Sequence, residues 1–262
     1  MPIVIANPAA VPTSWDLANI SSDGVSYNSP QLGSNGVSFK PDGTKMYIAS
    51  SSGSLIGEYD LSTPWVVSSA SQVQTKGVAS DPREVVLSSD GTTAYVCSNG
   101  ADLIYQYTLS TPWTFNSVVS AGTFNPSDAS PTGIYLRSDG LKMYVCANGG
   151  NLIKQYALSS AWDITSAGAL ESSFSVGTQE GVPTNVSFNS AGTRMFVAGY
   201  TGSAFQYDLG TPWTVSSAVY NSVFAALGTG GRPSIAFKPD GTKMYAVNDG
   251  SPGTSVVYQF SL

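Results

Sequence analysis

Hydrophobic and polar positions repeat five times along this chain, each time as two short apolar runs joined by a glycine turn. The first run of each copy is rich in β-forming residues, which predicts a short strand. The five copies of this run are Gly36–Phe39, Glu84–Leu87, Gly133–Leu136, Asn185–Phe188 and Ser234–Phe237. Each is followed by Lys-Pro-Asp-Gly or a variant. Because Gly and Asp accept a positive φ at little cost, this sequence predicts a tight hairpin.

The second run predicts the partner strand of that hairpin. Its copies are Lys45–Ala49, Thr93–Cys97, Lys142–Cys146, Arg194–Ala198 and Lys243–Val247. A third strand is expected after a polar loop, most clearly at Leu103–Leu109 and Val256–Leu262. A Thr-Pro-Trp bend or a variant then breaks the chain, and a more polar run supplies a fourth strand.

The spacing of the repeats predicts the architecture. Successive turn glycines lie 48, 49, 52 and 49 residues apart, and successive tryptophans lie 50, 48, 49 and 51 residues apart. The glycines are Gly43, Gly91, Gly140, Gly192 and Gly241, and the tryptophans are Trp15, Trp65, Trp113, Trp162 and Trp213. Four short antiparallel strands in each of five such units predict an all-β protein, a five-bladed β-propeller.

The ends of the chain predict how the ring closes. The last repeat stops at Leu262 after its third strand, whereas Thr13–Leu17 and Ala18–Tyr27 match the bend and fourth strand of the other copies. We therefore expect the N-terminal strand to complete the C-terminal blade, which pairs an edge that would otherwise be exposed. One domain, 1–262, is expected, with blades at 35–82, 83–131, 132–183 and 184–232 and a fifth at 233–262 completed by 1–34.

The repeat unit also resembles known sequences. Units of the form Asp-Gly-Thr-Lys-Met-Tyr-Val followed by Gln-Tyr-x-Leu-Ser-Thr-Pro-Trp are similar to tandem propeller repeats in predicted proteins of bacteriophages and marine bacteria. The Asp-Gly hairpin resembles those of the wider group of YVTN and NHL-type surface propellers. The resemblance covers almost the whole chain. It implies the propeller fold and a binding or structural module.

Composition narrows the classes of partner. The formal net charge is −6 with only 11 Lys plus Arg, so a basic surface for nucleic acid or anionic lipid is not expected. Charged residues make up 11% of the chain, so the surface must be largely Ser, Thr, Asn and Gly, which suits a virion or extracellular protein. Residues 1–10 lack the basic start of a signal peptide, and no run is long enough to span a membrane, so a mature chain without membrane insertion is expected.

Neither a metal nor a cofactor is expected. Cys97 and Cys146 occupy a position where other copies have Ala or Val, which indicates small buried residues and neither a disulfide nor a metal site. An aspartate precedes the turn glycine in four copies, where it fits ordinary turn chemistry. These aspartates are Asp42, Asp90, Asp139 and Asp240.

Two further sets recur in every copy. The five tryptophans could be stacking platforms for sugars or wedges that fill the space between blades, and packing is the favoured interpretation. The third strand has Gln106, Gln155, Gln206 and Gln259, with Glu58 in the first copy. Their recurrence favours a shared hydrogen-bonding role in the framework.

The sequence argues against catalysis. Glycosidases need two carboxyl groups roughly 5 to 10 Å apart, and on the innermost strands only Glu84 is acidic. The chain also has no His, which excludes a Ser-His-Asp triad and the usual His-based zinc sites. The expectation is that the protein is not an enzyme.

Ligand-binding residues are expected in the loops that differ between copies, on the face opposite the glycine turns, because binding residues usually lie in such loops. The alternative is that these are solvated loop residues. The candidates are Arg83, Glu84, Asn99, Asp102, Asn148, Asn151, Tyr200, Arg232 and Asp249.

The leading functional hypothesis is a non-enzymatic virion protein of a bacteriophage, with a propeller on a capsid, fibre or tail for attachment or decoration. Its partners would be other virion proteins or a host glycan or receptor, and it would lie on the virion surface or, alternatively, be extracellular. The second hypothesis is a lectin-like module that binds glycans between blades. The third is a glycoside hydrolase that uses Glu84.

Overall fold

The structure is a computed structural model that describes residues 14–127, 130–228, 231–248 and 255–262. Its strands form five four-stranded antiparallel sheets, in the orders β2-β3-β4-β5, β6-β7-β8-β9, β10-β11-β12-β13, β14-β15-β16-β17 and β18-β19-β20-β1. The strands are β1 Ser21–Ser29, β2 Ser34–Phe39, β3 Lys45–Ser50, β4 Leu55–Leu61, β5 Ala70–Gly77, β6 Pro82–Leu87, β7 Thr93–Ser98, β8 Leu103–Leu109, β9 Val118–Phe124, β10 Pro131–Leu136, β11 Lys142–Ala147, β12 Leu152–Leu158, β13 Ala167–Ser175, β14 Pro183–Phe188, β15 Arg194–Gly199, β16 Ser203–Leu209, β17 Ala218–Ala226, β18 Ser234–Phe237, β19 Lys243–Val247 and β20 Ser255–Ser261. The described ranges also contain seven 3₁₀ turns, at Leu17–Asn19, Ser51–Gly53, Val67–Ser69, Phe115–Ser117, Asn148–Gly150, Ile164–Ser166 and Val215–Ser217.

The sheets are arranged as a ring with a central channel. The first strand of each sheet contacts the first strand of both neighbours, in the order β2, β6, β10, β14, β18 and back to β2. The core lies between adjacent blades, as where Tyr47 and Ile56 of the first blade pack with Val85, Val96 and Phe115 of the second. The predicted five-bladed propeller is confirmed.

The ring closes between the two ends of the chain. β1 pairs with β20 from Ser21 opposite Ser261 to Ser29 opposite Ser255. The backbone N–H of Trp15 donates a 2.9 Å hydrogen bond to the carbonyl of Gly241. The N-terminal strand therefore completes the fifth blade, as the sequence predicts.

Each tryptophan packs on the turn glycine of its own blade. A Cβ atom on Gly43 would collide with the indole of Trp65, and the same holds in the other four blades. The turn glycines also have φ between +67° and +75°, a conformation that L side chains rarely adopt. Packing on the turn is therefore a role that all five tryptophans share.

The polar residue of the third strand joins neighbouring blades. The Gln106 side-chain oxygen accepts the Ile164 backbone N–H of the next blade at 2.9 Å. The equivalent acceptors and donors are Gln155 with Val215, Gln206 with Leu17, Gln259 with Val67 and Glu58 with Phe115, at 2.9 to 3.3 Å. The predicted framework role is confirmed.

Both cysteines are buried and free, as expected.

The aspartates of the hairpins act in the turns, since the carboxylate of Asp42 accepts the backbone N–H of Thr44 at 2.9 Å. Within the described ranges, no helix is both long and apolar enough to cross a bilayer.

Candidate functional site

The channel is crossed at mid-height by the side chain of Glu84, which is only 2% exposed. Its Oε2 accepts hydrogen bonds from Asn185 Nδ2 at 2.6 Å and from Ser234 Oγ at 2.5 Å. Glu84 starts in the second blade, and its two side-chain partners belong to the fourth and fifth. One carboxyl group thus connects blades that are not adjacent in the ring.

Two glycines make this crossing possible. A Cβ on Gly36 would lie 2.6 Å from Glu84 Cα and 2.8 Å from its Oε1. A Cβ on Gly133 would lie 2.8 Å from Asn185 Cα. The equivalent positions of the five inner strands therefore hold two glycines, one long acid and two short polar residues, which together fill the channel at this level.

Burial raises the pKa of the Glu84 carboxyl to about 8, against hydrogen bonds from Ser234, Val85 and Asn185 that favour the ionised form. Burial likewise raises the pKa of the nearby thiols of Cys97 and Cys146, which keeps both neutral. Near neutral pH, Glu84 is thus a carboxyl group that can exist with or without its proton.

A cavity of about 340 Å³ lies beside Glu84, in the half of the channel nearest the glycine turns. Its wall includes one channel-facing residue from each inner strand, which are Ser38, Val86, Tyr135, Ser187 and Ala236. Its rim is formed by the exposed turn residues Pro41, Ser138, Ser190 and Pro239, so the cavity reaches solvent at this face.

Three aromatic pairs line the cavity, and all three lie on the same side of it. Phe39 lies 5.5 Å from Trp65 between ring centroids, Phe188 lies 5.6 Å from Trp213, and Phe237 lies 5.1 Å from Trp15. The other two blades have Leu87 and Leu136 at the phenylalanine position, and their tryptophans do not line the cavity. The aromatic surface therefore comes from the first, fourth and fifth blades, with Tyr135 added from the third.

Two buried polar atoms of the lining have no hydrogen-bond partner among the described residues. They are Asn185 Oδ1, on a residue that is only 3% exposed, and Ser38 Oγ. Unpaired buried polar atoms cost free energy unless a ligand or solvent satisfies them. An apolar cavity with a few converging polar groups and a carboxyl of shifted pKa is typical of a binding site.

The opposite mouth of the channel is narrow and cationic. It is lined by Arg83, Arg232, Asn35, Thr132 and Thr184. Arg83 donates to Asn35 Oδ1 at 3.2 Å and pairs with Asp81 at 2.8 Å. Of the residues predicted from the sequence, Arg83 and Arg232 come together at this mouth and Glu84 lies beneath them in the channel.

The other predicted residues hold the loops of that face. Arg232 lies over the exposed ring of Tyr200, 5.7 Å from its centroid. Asn99 Nδ2 donates to Asp81 at 3.0 Å, and Asp102 accepts the Ser130 N–H at 2.8 Å. Asn148 and Asn151 bracket a 3₁₀ turn of the third blade. Asp249 lies outside the described residues.

Sequence reasoning missed the partners of Glu84 and the cavity below it. The alignment of the five repeats contains a signal for these partners, because Glu84, Asn185 and Ser234 occupy one position of the repeat where the other two copies have glycine. That alignment shows a shared height in the channel. It does not show that side chains from opposite blades reach one another.

The chain matches no protein-family profile and no curated protein. Solved structures share its fold. A functionally unknown protein from Desulfotomaculum acetoxidans has a TM-score of 0.53 at 12% identity, with 85% of this chain and 68% of that chain covered. A candidate 6-phosphogluconolactonase from Bacteroides uniformis has a TM-score of 0.51 at 14% identity, with 81% and 63% covered. A luciferin-regenerating enzyme has a TM-score of 0.58 at 13% identity, with 91% and 95% covered.

These likenesses correct one expectation. Proteins named as enzymes have the same propeller architecture, so the expectation that this protein is not an enzyme is wrong as a conclusion from its fold and composition. Glycosidic cleavage and His-based catalysis are only two of the chemistries that enzymes use, so arguments against these two do not show that a protein lacks catalytic activity. At 12 to 14% identity the likeness shows the fold and transfers no activity.

Proposed function

We propose that this protein is a small-molecule-binding propeller whose ligand occupies the 340 Å³ cavity beside Glu84. The observation that carries the proposal is Asn185 Oδ1, which has no hydrogen-bond partner among the described residues and lies next to a buried carboxyl at the base of an aromatic cavity. The aromatic pairs would contact the body of the ligand, and Asn185 with Glu84 would bind one polar group.

The test is a binding measurement with a variant that fills the cavity. Ligand-observed NMR with a set of single-ring aromatic amines, alcohols, amides and acids at millimolar concentration should detect at least one binder of the wild-type protein. Ala236→Phe should abolish that binding, because position 236 lines the cavity. Ser120→Phe, on the exposed face of an outer strand, is the matched control and should leave it unchanged. Absence of any binder, or binding that Ala236→Phe leaves intact, contradicts the proposal.

We propose as a second candidate that the propeller is mounted in a bacteriophage virion as an attachment or decoration module. The repeat resemblance and the low surface charge support it. So do large apolar side chains that are 47 to 67% exposed on the outermost strands, where an assembled neighbour could cover them. These residues are Val73, Val119, Leu170, Val219 and Phe224. Mass spectrometry of purified particles should find the chain in fixed stoichiometry with capsid or tail proteins, and its absence from the particles contradicts this candidate.

A further inference from the structure

The wall of the cavity contains an acidic side chain and, among its described residues, no basic one. Glu84 is the one ionisable acid that lines it, and no Lys or Arg is among the described residues of its wall. The neighbouring Arg83 points to the other mouth of the channel, where it pairs with Asp81. A ligand anion in this cavity would therefore meet a carboxyl group and no counter-charge.

The aromatic walls add to this preference. Tryptophan, tyrosine and phenylalanine faces attract cations through the ring quadrupole, and the attraction grows when the cation is desolvated. Trp15, Trp65 and Trp213 line the cavity together with Tyr135, whose phenol has its pKa raised to about 12 by burial and so stays neutral. The cavity thus combines aromatic side chains with one carboxyl group, as sites for organic ammonium ions do.

No cation contacts the carboxyl group among the residues that the structure describes. Its hydrogen bonds come from Asn185, Ser234 and the backbone N–H of Val85, all of them neutral donors. Ionising it in this buried position is costly without a positive partner. A bound cation would supply that partner and offset the cost of ionisation.

From these observations we infer that the ligand is an organic ammonium ion, a substituted amine or quaternary ammonium compound whose positive group lies beside Glu84 among the aromatic side chains. This inference rests on the proposed function, which requires only that the cavity binds a small molecule. It names the charge and chemical class of that molecule. Asn185 Oδ1, which has no hydrogen-bond partner in the described part of the chain, would accept a hydrogen bond from an N–H group of a primary or secondary amine.

Three probes of similar size test it, namely benzyltrimethylammonium, benzyl alcohol and benzoate. Isothermal titration calorimetry at pH 7.5 should show the quaternary cation binding at least about tenfold more tightly than benzyl alcohol, with benzoate weakest. Glu84→Gln should reduce this preference, because it removes the carboxyl group and keeps the aromatic side chains, and it should leave binding of the alcohol within about twofold. Asp60→Asn, a change to an exposed carboxylate on the outside of the same ring, should keep the preference.

A second readout needs no variant. Because the probe is permanently charged, its binding should drive proton release from Glu84, which calorimetry in two buffers of different ionisation enthalpy measures. Among the described residues, the Cys97 and Cys146 thiols interact electrostatically with Glu84, and the Tyr135 phenol lines the same cavity. Their raised pKa values exclude all three as the source.

The outcomes separate the two proposals. Equal or tighter binding of benzyl alcohol, or a preference for the cation that Glu84→Gln leaves undiminished, overturns the ammonium assignment and leaves the binding site standing. If none of the three probes binds and the wider aromatic set also fails, the proposed function falls with it.

Discussion

The hydroxyl of Tyr47 donates a 2.8 Å hydrogen bond to the backbone carbonyl of Trp113 in the next blade. Tyr95, Tyr144 and Tyr245 each donate the same hydrogen bond to the tryptophan carbonyl of the next blade, at 2.5 to 2.9 Å. The fourth blade has Phe196 at this position, and there Arg194 Nη1 donates instead to the carbonyl of Trp15 at 2.7 Å. Every junction between blades is therefore joined at a tryptophan carbonyl, by a phenol at four and by a guanidinium at the fifth.

Tyr47→Phe should destabilise the protein by about 1 kcal/mol, because it removes one buried hydrogen bond and leaves the ring in place. Phe196 shows that a phenylalanine fits this position of the repeat. Urea denaturation gives the free energy of unfolding. Tyr105→Phe is the matched control, since its half-buried phenol has no hydrogen bond within the described part of the chain, and it should change stability by less than about 0.5 kcal/mol. An equal loss in both variants would show that the inter-blade bond contributes nothing.

A carboxylate at the polar position of the third strand should be stable only where the start of the second strand supplies a cation. Glu58 is buried with Lys45 Nζ 2.7 Å from its Oε1, whereas the equivalent of Lys45 beside Gln106 is Thr93. Gln106→Glu should therefore destabilise the protein by about 1 to 3 kcal/mol at pH 7, since it places a carboxylate without a cation between blades. Thermal and urea unfolding at pH 7 and pH 4 should show the loss shrinking as the new carboxyl group is protonated.

The rescue variant makes that prediction specific. Adding Thr93→Lys to Gln106→Glu reproduces the pair found in the first blade and should recover most of the stability at pH 7. Thr93→Lys in the otherwise unchanged protein is the control. Failure of the double variant to gain on Gln106→Glu contradicts a role for the lysine.

The framework was readable from the sequence because it recurs. The turn glycines, the tryptophans and the polar residue of the third strand have equivalent partners in each blade, so a pattern of five copies reveals their role. The cavity was not readable, because it depends on where the copies differ. The first, fourth and fifth blades have Phe39, Phe188 and Phe237 where the other two blades have leucine. This difference concentrates aromatic rings on one side of the channel. Only the closed ring brings Glu84 to Asn185 and Ser234, which lie 101 and 150 residues away along the chain.

Removal of the chain up to Ser29 should open the ring. It deletes β1, the packing of Trp15 on Gly241 and the hydrogen bond from the Leu17 N–H to Gln206, and it exposes the edge of β20. We expect loss of cooperative unfolding and aggregation, measured by circular dichroism and light scattering.

A circular permutant is the control for that deletion. A chain that starts at Ser34 and joins Leu262 through Ser-Thr-Pro to Trp15–Ser29 builds every blade from continuous sequence and copies the bend before Trp65. It should fold cooperatively. A truncated protein as stable as the full chain would show that the N-terminal strand does not hold the ring closed.

The buried carboxyl of Glu84 should make stability depend on pH in an unusual direction. Burial raises its pKa in the folded protein from the ordinary 4.5 to about 8, so between these values the folded state binds more protons than the unfolded state. Stability must then fall as pH rises through this window, by up to about 1.4 kcal/mol per pH unit from this one group, and level off above it.

Glu84→Gln can still accept the hydrogen bonds of Asn185 and Ser234 but does not ionise. Urea unfolding of both proteins at pH 5, 6.5 and 8 therefore isolates the contribution of Glu84, because all other titrating groups are common to both. The variant should gain on the wild type at each step and be the more stable protein at pH 8. A difference between the two that stays constant with pH would show that Glu84 ionises as readily in the folded channel as in the unfolded chain.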